Sequence, residues 1–92
     1  MKKKVLILED DIFLVKVMQK KFEKNGNEVM FLLDGVKAVE TAKNFQPDVI
    51  LADLIMPEKD GFIAIKELKS DEQTKTIPII VTSNLSSDED VE

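Results

Sequence analysis

Two short apolar runs, Val5-Leu6-Ile7-Leu8 and Val49-Ile50-Leu51-Ala52, both end in acid: Glu9-Asp10-Asp11 follows the first and Asp53 follows the second. Unbroken aliphatic runs of this length leave no solvent face, so both read as strands covered on two sides, the mark of a parallel sheet flanked by helices. In such a sheet ligands bind outside the carboxyl ends of the strands, where the chain turns toward a helix. Carboxylates from both runs should therefore meet at one rim. Packed like charges repel unless a cation holds them or one is protonated. The arrangement asks for a divalent metal and leaves one Asp to act as a nucleophile.

Strand and helix signals alternate along the rest of the chain, the pattern of an α/β domain. The first strand is expected over about Lys4 to Leu8 and the first helix over about Asp11 to Asn25, where Asn25-Gly26 supplies a left-handed stop. Leu14, Val17, Met18 and Phe22 share one face of that helix and are expected to cover the sheet. Ile12, Phe13 and Val15 fall off that face. They are either scattered surface apolars or a docking patch beside the acidic rim.

A second strand follows over Glu28 to Leu32, and Asp34-Gly35 turns into a helix whose Ala38, Val39, Ala42 and Phe45 face inward. Pro47 cannot continue that helix and delivers the chain to the third strand, Asp48 to Ala52. Past Gly61 a third helix turns Phe62, Ile65 and Leu68 inward, and Pro78 introduces a fourth strand through Thr82. Ser86-Ser87-Asp88-Glu89 has capping-box spacing and announces a fourth helix.

Composition narrows the function. The chain has 92 residues, enough for one small domain, 1–92, near the size at which a single core barely suffices. There is no Cys, which excludes disulfides and thiolate metal sites. The apolar run after Lys2-Lys3-Lys4 stops at Glu9, too early for a secretory signal or a membrane span, so the cytoplasm is the default location. A net charge of −5 argues against nucleic-acid binding by this segment. All 13 basic residues are Lys, so no bidentate guanidinium fork is present. With no His, any phosphohistidine donor must lie on another molecule.

Three separated signals together carry a family resemblance. They are Glu9-Asp10 after the first strand, the run Asp53-Leu54-Ile55-Met56-Pro57-Glu58-Lys59-Asp60-Gly61, and Ile79-Ile80-Val81-Thr82-Ser83 after Pro78. The chain resembles a response regulator receiver domain of two-component signalling, similar to the chemotaxis receivers. The resemblance implies a doubly wound, flavodoxin-like parallel sheet of strand order 2-1-3-4. Right-handed crossovers would then set the ends of strands 1 and 3 side by side. A full receiver adds a fifth strand and a last helix. The resemblance is therefore to a partial receiver, C-terminally truncated after the start of the fourth helix.

By this resemblance Asp53 is the phosphoacceptor, and an Asp carboxylate can indeed attack a phosphoryl group to give an acyl phosphate. Mg2+ (or Mn2+) is the implied cofactor, since such ions take oxygen ligands and need few protein carboxylates. Asp53 is itself implied as a metal ligand, with Asp10 as a direct ligand, Glu9 as a ligand through water, and Ile55 as a ligand through its backbone carbonyl. Thr82 would hydrogen-bond a phosphoryl oxygen, beside the small Ser83. Met56, Pro57 and Gly61 look structural, and Asp60 reads as a cap of the third helix. Asp11 reads as a helix-start acid. The implied partners are a histidine kinase or a phosphotransfer protein, whose helical bundle is the occupant for an Ile12, Phe13, Val15 patch.

Taken alone, Glu9-Asp10-Asp11 would be ordinary helix-start acids and Thr82 an ordinary strand-end residue; the Asp53 run is what lifts them. Full receivers also place a Lys after strand 5 against the phosphoryl group, and no residue after Lys75 in this chain is basic. The expected activity is at most self-phosphorylation from a donor and autodephosphorylation. The alternative is a phosphorylation-impaired fragment that serves only folding or assembly. A metal-dependent phosphatase of another α/β family is disfavoured, because Asp53-Leu54-Ile55 lacks the second Asp of an Asp-x-Asp nucleophile motif. The fourth strand, with no inward charge and Pro78 only at its start, is expected to expose an edge through which copies self-associate.

Overall fold

The computed structural model describes residues 2–53 and 61–81, with Gly61 and Phe62 as helix backbone alone. Among these residues the elements are β1 (Lys4–Leu8), α1 (Ile12–Lys24), β2 (Glu28–Leu32), α2 (Ala38–Phe45), β3 (Val49–Ala52), α3 (Gly61–Ser70) and β4 (Ile79–Val81). The strands form one parallel sheet in the order β2-β1-β3-β4. This is the doubly wound α/β architecture expected. β1 and β3 occupy the two central positions, as their unbroken apolar runs demand.

The sheet is covered by different helices on its two faces. Leu6, Leu8, Ile50 and Ala52 pack with Ala38, Ala42 and Phe45 of α2 and with Ala64 and Leu68 of α3. On the other face Val5, Ile7 and Leu51 pack with Val15 of α1, joined by Met18, Phe22, Val29 and Phe31. The alternation of side chains along β1 thus feeds two separate cores.

Val15 corrects the expectation for α1. It is 0% exposed, whereas Val17 is 49% exposed. The helix is rotated from the expected phase, so that Val15, Met18 and Phe22 cover the sheet and Val17 faces out beside Phe13. Val15 therefore belongs to the core and cannot be part of a surface patch. On α3 the buried pair is Ala64 and Leu68, with Ile65 half-buried; the side chain of Phe62 lies outside the described residues.

Local chemistry fixes the boundaries. Asp11 caps α1, its carboxylate accepting from the N–H groups of Phe13 at 3.0 Å and Leu14 at 3.2 Å. Gly26 ends the turn after α1 at a φ of 87°, where a side chain would be strained. α2 ends at Gln46 in a left-handed conformation just before Pro47. Asp48 stands before β3 rather than in it, accepting from the Lys4 N–H at 2.7 Å while its own N–H donates to the Lys4 carbonyl. Between α3 and β4 the buried Thr74 hydroxyl donates to the Leu68 carbonyl at 2.6 Å. Asp71 anchors the same segment, accepting from the Gln73 N–H and pairing with Lys43 of α2 at 3.2 Å.

Candidate functional site

The parallel ladders carry the acids to one place. Past the end of β1 the Glu9 N–H donates to the Leu32 carbonyl of β2 at 3.1 Å, and past β3 the Asp53 N–H donates to the Leu8 carbonyl at 2.9 Å. Glu9 and Asp53 are therefore held by the sheet itself at the carboxyl ends of adjacent strands. One carboxylate oxygen from each of Glu9, Asp10 and Asp53 lies within 4.8 Å of the others. More than forty residues separate Asp53 from the other two in sequence.

Burial within this cluster is unequal. Glu9 is 1% exposed and Asp53 5% exposed, while Asp10 is open to solvent. Glu9 Oε2 accepts from the Asp11 N–H at 3.2 Å, but among the described residues Glu9 Oε1 is buried with no hydrogen-bond partner. Burial pushes the Glu9 carboxyl up to about 7; the Asp11 N–H opposes this, and the negative charges of Asp53 and Asp10 reinforce it. An orphaned, buried carboxylate oxygen on a residue clustered with two more carboxylates is costly unless positive charge meets it. The donor set, all oxygen and partly open to water, fits a hard divalent cation.

Of the residues singled out in the sequence, the structure brings Glu9, Asp10 and Asp53 together. Ile55 and Thr82 lie outside the described residues, as do Met56, Pro57, Asp60, Ser83 and the segment 86–89. Ile12 and Phe13 are exposed at the start of α1, and Val15 is buried. The exposed side of α1 instead runs through Phe13 and Val17, which line a groove with Lys16, Gln19, Lys20 and Glu23. The i, i+4 spacing of Phe13 and Val17 was the available signal for that face.

A doubly wound sheet with three carboxylates gathered past the ends of its central strands defines an acid-rimmed α/β domain. The response regulator receiver domain model matches residues 5–92, and the chain belongs to that family. It is 35% identical over 83 residues to the polar-differentiation response regulator DivK of Brucella ovis, covering 90% of this chain and 68% of DivK. It is 33% identical over 87 residues to the DNA-binding dual master transcriptional regulator RpaA of Synechocystis, covering 95% of this chain and 36% of RpaA. Among solved structures it resembles the receiver domain of a sensor histidine kinase from Pseudomonas aeruginosa, at a TM-score of 0.84 and 28% identity, covering 98% of this chain and 75% of that one. That domain has a magnesium ion coordinated in its active site cleft.

Proposed function

We propose that the chain is the phosphoacceptor module of a two-component phosphorelay, with Asp53 as the residue that takes the phosphoryl group. The observation that carries this reading is the meeting of Glu9, Asp10 and Asp53, with Glu9 Oε1 buried and unpartnered among the described residues. Asp10 and Asp53 would hold a divalent cation directly, Glu9 through water and Ile55 through its carbonyl. Magnesium suits the site because it keeps several waters and needs few carboxylates; manganese is the alternative. When bound, the ion supplies positive charge to the phosphoryl oxygens.

The chain's own residues do the rest. An Asp53 oxygen attacks the phosphorus of a partner's phosphohistidine, the P–N bond breaks, and the leaving imidazole takes up a proton. The product is an acyl phosphate on Asp53. Such transfers depend on positioning and on charge neutralisation more than on covalent chemistry by the protein. The two ladder hydrogen bonds, from Glu9 to Leu32 and from Asp53 to Leu8, supply the positioning. Thr82 is assigned the bond to a phosphoryl oxygen.

Receiver domains work with histidine kinases or phosphotransfer proteins, and we assign this chain such a partner. Its docking patch is revised to Ile12, Phe13 and Val17, with Lys16 and Lys20 beside them, because Val15 is in the core. Self-association through β4 is also proposed, supported by the half-exposed Ile80 and Val81. Among the described residues no helix is long and apolar enough to cross a membrane; a cytoplasmic site of action is the location we assign.

The test is intact-mass measurement after incubation with magnesium and a small phosphoryl donor. The native chain should gain one phosphoryl group, and Asp53→Asn should gain none while keeping its helical circular dichroism. An unmodified native chain, or modification that persists in Asp53→Asn, would overturn the assignment.

A further inference from the structure

We propose that Asp11 is a positioning residue for the acidic cluster, its helix cap fixing the backbone N–H that aims the Glu9 carboxylate. The inference rests on the cation-site reading above and adds to it a residue that touches neither cation nor phosphoryl group.

Two interactions meet at Asp11. Its side-chain oxygen Oδ1 accepts from the N–H groups of Phe13 and Leu14, the first turn of α1. Its own N–H donates to Glu9 Oε2 at 3.2 Å. The direction of that N–H is set by the Asp11 backbone, held extended at φ −88° and ψ 102° by the cap. If the cap is lost, the peptide that presents the N–H is free to rotate.

The consequence falls on Glu9, whose side chain has several rotatable bonds. With Oε2 tied to Asp11, Oε1 is left as the buried oxygen with no hydrogen-bond partner among the described residues. The rotamer freedom a Glu would lose on holding a cation is then already lost in the unliganded protein. Hydrogen bonds that orient a metal-binding side chain in this way commonly change cation affinity about 10- to 100-fold. Asp11 also ties the start of α1 to the rim, so the helix that bears the docking face and the acidic cluster share one anchor.

The test compares magnesium affinity in the full chain and in Asp11→Asn, Asp11→Ser, Asp11→Ala and Asp11→Gly, read from the amide shifts of residues 9–11 and 53. All four substitutions remove the same charge, so their differences isolate the cap. Asn and Ser retain a side-chain acceptor for the first turn; Ala and Gly do not. Ala and Gly should bind about 10-fold more weakly than Asn and Ser. Gly is included because it is tolerated at a helix cap, so one uncapped variant stays folded if Ala does not. Equal affinity in all four, with the native chain binding, would overturn the role of Asp11 alone. No site-specific response in the native chain would overturn the cation site and this inference together.

Discussion

Glu9 is the residue at which the fold's geometry becomes chemistry. Its burial follows from its position directly after a central strand, yet burial of a carboxylate is unfavourable unless the charge is met. In the protein without cation its carboxyl holds its proton up to about 7, against 4.5 when exposed. Between those values the folded state keeps a proton that the unfolded state has released, so stability should fall as pH rises through this window. Glu9→Gln should abolish that slope and stabilise the cation-free protein near pH 8 by on the order of 3 kcal/mol. Urea unfolding followed by circular dichroism at pH 5 and pH 8, with and without magnesium, reads the effect. Saturating magnesium should reverse the ranking, favouring the native residue. The meeting of Glu9, Asp10 and Asp53 was legible in the sequence because these acids follow buried runs, at the carboxyl edge of the sheet. The orphaned oxygen and the double role of Asp11 were not, since both depend on side-chain rotation about fixed backbone.

Helix α1 shows where periodicity stops being informative. The stretch Ile12-Phe13-Leu14-Val15-Lys16-Val17-Met18 is apolar at nearly every position, so more than one phase satisfies an amphipathic pattern. The sheet surface chose the phase that buries Val15 with Val5, Ile7 and Leu51. Strands β1 and β2 have the expected bounds, because each run is closed by charge or by a turn. β3 begins one residue later than expected, Asp48 being spent on the Lys4 backbone. Two substitutions separate the phases of α1. Val15→Ala should cost about 2 kcal/mol, from lost burial and the cavity left behind. Val17→Ala should change stability by less than about 0.5 kcal/mol. Equal losses at the two positions, measured by chemical denaturation, would contradict the observed rotation.

At the scale of the whole molecule, strand order followed from the family resemblance and not from periodicity, which cannot say which strands are neighbours. The chain spans 36% of RpaA and 68% of DivK. Among the described residues β4 is an edge strand with Ile80 and Val81 half-exposed. An apolar edge is a template for another chain. Sedimentation at high micromolar concentration should show a dimer, with an unfolding midpoint that rises with protein concentration. Ile80→Lys should shift the population to monomer; a native chain that is wholly monomeric would remove the proposed association. Anomalous diffraction from crystals soaked in manganese would show whether the rim formed by β1 and β3 is a cation site. One strong peak is expected among Glu9, Asp10 and Asp53, separated from the Glu9 carboxylate by a single water. Full occupancy elsewhere, with these three carboxylates left without an ion, would contradict it.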